Sequence, residues 1–102
     1  MYKPLANDWI EEMVAGGKLE AMSTQKREQL AEEYAMIIEE TIAAEAQKTL
    51  ATMGKADEYE RMKLFDGQYL NKYLNQTIPA FFSFKMEAIA LAKEIILAKG
   101  KS

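Results

Sequence analysis

Valine occurs once in this chain, at Val14, while Ala, Glu, Lys, Leu and Arg fill 50 of its 102 positions. That bias constrains the fold more than any other feature. Strand formers are scarce beyond the isoleucines and aromatics, and a chain half made of these five residue types is typical of helical proteins. The length suits one domain, 1–102, and a fold of this size buries roughly 65% of the surface its unfolded chain exposes. The reading is therefore all-α: a compact bundle of about five helices, two of them long.

Local punctuation places the helices. Residues 1–6 read as an extended lead. Asn7 or Asp8 caps a first helix through about Val14, which Gly16-Gly17 ends. Ser23 or Thr24 caps a second helix that reaches Thr49–Met53, with Gly54 beyond. In its first half Leu30, Tyr34, Ile37, Ile38 and Ile42 form an apolar stripe. In its second half Ala43, Ala46, Leu50 and Met53 form another, turned by more than a quarter of the circumference at about 100° per residue. The helix bends there, or its halves pack on different neighbours. Asp57 and Glu60 have the spacing of a capping box at the start of a third helix, which Gly67 stops. A fourth runs from Gln68 to about Asn75, with a break over 75–77. Pro79 suits the first turn of a last helix, where its missing N–H costs nothing; that helix runs to about Ala98.

The residues that are missing bound the chemistry. With no cysteine there is no disulfide, thiolate nucleophile or sulfur-ligated metal. With no histidine, the side chain that titrates near neutral pH and most often ligates metals is gone. A di-metal site of the bundle type needs histidines beside its glutamates, and no phosphate-binding or nucleophile-bearing glycine motif occurs. No catalytic, cofactor-binding or metal-binding residues are assigned, and the chain is read as not an enzyme. A net charge of −3 argues against direct nucleic-acid binding. No apolar stretch is long enough to span a bilayer, and no secretory leader is visible. The expected location is the cytoplasm.

Two surfaces remain as candidates for partner binding. The first is the last helix, which is apolar on most sides. Phe84, Ala88, Leu91, Ile95 and Ala98 make one ridge, read as core. Phe82, Met86, Ile89 and Ile96 make a second; either this ridge too is buried within the chain and the helix is central to the core, or it is covered by a second copy or another protein. The second surface is acidic. Six glutamates and no basic residue lie between Glu28 and Glu45, and Glu32, Glu33, Glu39 and Glu40 share the outer face of the second helix. That face keeps the protein soluble, or it imitates nucleic acid in a partner's basic groove. Glu45 interrupts the stripe. It faces water beside Lys48, or it is a buried carboxylate with a raised pKa suited to acid–base work.

The Trp9 segment, the glutamate-rich helix with Tyr34 and Ile37-Ile38, the short Tyr69-Leu70…Tyr73-Leu74 helix and Ile78-Pro79-Ala80-Phe81 together resemble a small helical domain family of unknown function from candidate-phyla-radiation bacteria. The likeness covers roughly Trp9 to Ala90 and implies a helical fold. It brings no catalytic motif. The expected function is a non-enzymatic interaction protein acting through helix faces, as a homodimer or as an adaptor. An acidic inhibitor that blocks a partner's basic groove is the alternative, and a small carboxylate-dependent enzyme the third reading.

Overall fold

A computed structural model describes residues 2–65 and 67–99. The protein is all-α, with 81% helix and no strand among the described residues. Five helices follow in order: α1 (Lys3–Ala15), α2 (Thr24–Thr52), α3 (Ala56–Met62), α4 (Gly67–Thr77) and α5 (Phe81–Lys99). Their packing divides into two compact units, one formed by 1–40 with 91–102, the other by 41–90.

In the first unit, α1 begins several residues earlier than Asn7. Pro4 stands in its opening turn, where a fixed φ and an absent N–H favour a helix start, and the Ala6 N–H donates to the Tyr2 carbonyl at 2.9 Å. Starting there adds Ala6 to the face that buries Trp9, Ile10 and Met13. Met1, part of the expected lead, lies outside the described residues. The glycine stop works as read. Gly17 takes φ 77°, its N–H donates to Val14, and the Lys18 N–H reaches back to Met13 at 2.8 Å, a Schellman closure. Ser23 caps α2 by accepting the Lys26 N–H at 3.2 Å. Here α2 buries Ala31, Tyr34 and Ile38, and α5 buries Ala92 and Ile96. Ion pairs join the three segments: Lys3 to Glu28 and, at 3.5 Å, to Glu32; Arg27 to Glu11 at 2.7 Å; Lys93 to Glu12 at 3.0 Å. All are substantially exposed, so water screens them and each contributes little to stability. The Glu28 hydrogen bond raises the Lys3 pKa. Burial raises that of Tyr34, with Glu33 adding to it.

The second unit has a core of Ala46, Leu50, Tyr59, Tyr73, Leu74 and Ile78, with Met62, Leu70, Phe81 and Phe84 packed against it. The buried line of α2 has therefore shifted from Ala31, Tyr34 and Ile38 to Ala46 and Leu50, the rotation its sequence predicts. Ala43 and Met53, assigned to the new stripe, are exposed. Gly54 closes α2 as Gly17 closes α1, with φ 75° and the Lys55 N–H donating to Leu50 at 2.8 Å.

That closure alters the expected start of α3. Lys55 ends one helix and stands at the N-cap of the next, so Asp57 falls inside the first turn and makes no cap hydrogen bond. There it faces the positive end of the helix dipole instead. Gly67 is the first residue of α4, not the stop of α3; α3 ends in tighter bonds, Leu64 N–H to Arg61 and Phe65 N–H to Met62. No break occurs at 75–77, because the Ile78 N–H still donates to Leu74 at 2.9 Å. Buried Ile78 holds that extra turn in place. The chain turns instead at Pro79-Ala80, before α5. Ala80 takes φ 51°, and its carbonyl accepts the Phe84 N–H at 3.0 Å.

Candidate functional site

In the second unit the patterns of α4 and α5 leave a cleft on their outer side. By burying Tyr73 and Leu74, α4 turns Asn71, Lys72 and Asn75 to solvent. At the head of α5, Phe81 and Phe84 pack inward with their rings nearly parallel, 5.9 Å apart. Phe82 is rotated by about 100° from Phe81 and is 76% exposed. Asn71, Lys72, Asn75, Phe81, Phe82 and Lys85 line a broad, open cleft of about 470 Å³. No carboxylate lines it among the described residues. Such a surface offers an aromatic face, ammonium groups and amide donors. It suits an apolar anchor flanked by negative charge better than an enclosed small molecule.

The predicted α5 surface is thus only partly assembled. Phe82 and Met86 are exposed, Ile89 is half-buried, and Ile96 belongs to the core at 1% exposure. Conversely, Leu91 and Ile95, read as core, are exposed. The inward line through Ala88, Ala92 and Ile96 follows a four-residue step and runs from one expected ridge, at Ala88, to the other, at Ile96, through Ala92, which belonged to neither.

On α2, Glu32, Glu33, Glu39 and Glu40 are all exposed. Part of this acidic face is already neutralised within the chain, since Glu32 lies 3.5 Å from Lys3 and Glu33 lies 3.9 Å from Lys99. Glu39 and Glu40 have no ion pair among the described residues. At the centre of these four stands Met36, more than half exposed. Its neighbours at i−4, i−3, i+3 and i+4 are the four glutamates. Sequence reasoning passed over Met36, although this ring of acids was the available signal. It also passed over Leu64, which the α3–α4 turn leaves exposed together with Phe65, whose ring lies 5.8 Å from that of Tyr69.

Glu45 is half-buried, and Lys48 lies 3.8 Å away. The Tyr59 hydroxyl donates to the Ala43 carbonyl at 3.5 Å. Burial raises its pKa, opposed by Lys63 and aided by Glu60. Among the described residues no group of three or more acidic side chains is placed to hold a metal ion, and no helix is long and apolar enough to cross a membrane. Comparison with protein families, curated proteins and solved structures gives no match to this chain.

Proposed function

We propose that this is a non-enzymatic interaction protein of the cytoplasm, acting through exposed helix faces and needing no cofactor and no direct contact with nucleic acid. What supports the reading is Phe82, three-quarters exposed in a cleft that no carboxylate lines among the described residues. A large aromatic ring left in water forgoes about 1.5–3 kcal/mol of burial, and aromatic anchors are enriched where interfaces concentrate their binding energy. Met86, exposed one turn further along α5, enlarges the same apolar edge.

The test compares the wild-type chain with a Phe82→Ser/Met86→Ser variant, by light scattering and by affinity purification from the source cell with mass spectrometry. The reading expects a self-associated species or a captured protein that the variant loses while keeping its helical circular dichroism. A monomer whose captured set is unchanged by the substitutions would refute it.

A further inference from the structure

The proposed interaction function leaves the partner open, and two surfaces of this one chain complement each other. We infer that the α4–α5 cleft receives the acidic face of α2 from a second copy of the protein, with Met36 as the anchor. The inference rests on the reading just given and names the occupant.

The argument is one of matching shape and charge. The donor surface is a methionine standing clear of the helix, ringed by Glu32, Glu33, Glu39 and Glu40. The receiving surface inverts that pattern: the exposed Phe82 ring, with Lys72 and Lys85 beside it and Asn71 and Asn75 as amide donors. Thioether–aromatic contacts are favourable, and the flexible methionine side chain adapts to an irregular groove. Among the described residues Glu39 and Glu40 bring charge not already taken by a lysine of their own chain, and Lys72 is exposed to meet it. Against a basic groove, an acidic ring selects register and orientation more than it adds affinity.

Both surfaces occur on every copy. If two copies can exchange the contact reciprocally, a closed two-fold dimer forms; if they cannot, each copy passes the contact to the next in an open series. Each unit supplies one surface, so a chain carrying only one of them lacks half of the contact.

The test uses the full chain in sedimentation equilibrium, from about 1 µM to about 1 mM, the span of weak specific association. The expected result is reversible association that weakens about tenfold or more between 50 mM and 500 mM salt, as screening of exposed charge requires. A cleft variant, Lys72→Glu/Asn75→Glu, and a face variant, Glu39→Lys/Glu40→Lys, should each lose self-association by about tenfold or more, since each sets like charges against each other. Mixed together they should associate again, because the reversed cleft now faces a reversed ring. Met36→Ser removes the anchor without changing charge and should weaken association at every salt concentration. Circular dichroism identifies any variant that fails to fold, and Met36→Ser then replaces it. A wild-type chain that stays monomeric throughout overturns the inference, as does association that ignores all these substitutions or a mixture that stays apart. A monomer that nonetheless captures a protein lost with Phe82→Ser/Met86→Ser overturns only this inference and leaves the interaction reading standing.

Discussion

The Lys93 ammonium group lies 5.6 Å from the centre of the Trp9 ring and 3.0 Å from the Glu12 carboxylate, so one side chain of α5 meets two of α1. A cation over an indole at a partly exposed site is worth about 0.5–1 kcal/mol, and the exposed ion pair adds a similar amount at most. Lys93→Met should therefore destabilise the fold by about 1 kcal/mol in urea denaturation. Trp9→Ala, which empties a nearly buried ring site, should cost about 3–5 kcal/mol. Equal effects would show that the cation, not the indole's packing, dominates.

Tyr73 has a buried hydroxyl with no hydrogen-bond partner among the described residues. Leaving such a group unsatisfied costs about 1–3 kcal/mol. Tyr73→Phe keeps the ring and removes the orphan, so its melting temperature should equal or exceed that of the wild type. A clear loss of stability would reveal a partner for that oxygen.

Burial raises the pKa of both Tyr34 and Tyr59 in the folded chain. A folded-state pKa above the unfolded value means that the native protein holds these protons more tightly. The resulting stability is full below the ordinary tyrosine pKa, near 10, and is lost as the pH rises through the raised values. Lys3, raised by its hydrogen bond to Glu28, shifts in the same direction. Stability should fall above about pH 10, and a Tyr34→Phe/Tyr59→Phe variant should flatten that fall. Denaturant midpoints measured across the alkaline range would read it directly.

Neighbouring isoleucines on α5 have opposite environments: Ile96 is 1% exposed and Ile95 is 40% exposed. Ile96→Ala should cost about 2–5 kcal/mol, whereas Ile95→Ala should stay under about 1 kcal/mol. The reverse order would restore the ridges drawn from sequence.

Ala80 holds φ 51° between α4 and α5. The left-handed region costs a non-glycine residue roughly 1–2 kcal/mol, more than the roughly 0.5–1 kcal/mol of chain entropy that glycine adds to the unfolded state. Ala80→Gly should thus be neutral or mildly stabilising. Ala80→Val, β-branched in the same conformation, should lower the thermal midpoint. A stabilised Ala80→Val protein would show that the turn tolerates another conformation.

Five helices, the glycine closures at Gly17 and Gly54, a cap of α2 at Ser23 or Thr24 and the rotated face of α2 were all legible in the sequence, because each depends on contacts within a few residues. Errors arose where a residue served two elements or where size stood in for position. Lys55 ends α2 and opens α3, which displaced the expected Asp57 cap. Ile78 carries α4 past the polar run Asn75-Gln76-Thr77 because its burial outweighs local propensity. On α5 the inward line joins Ala88 of one expected ridge to Ile96 of the other through small Ala92, which neither ridge included. The cleft brings side chains of α4 together with those at the head of α5, which periodicity within either helix does not record.

Oxidation has a narrow target in this protein. With no cysteine in the chain, two-electron oxidants fall chiefly on thioethers, and among the described residues Met36, Met53 and Met86 are the exposed ones, while Met13 is buried. Sulfoxide formation makes a flexible apolar side chain polar. On Met36 it would blunt the centre of the acidic ring, and on Met86 the apolar edge beside Phe82, while the buried core is left intact. Mild peroxide should therefore change what the surface engages before it changes the fold, and a methionine sulfoxide reductase should restore it.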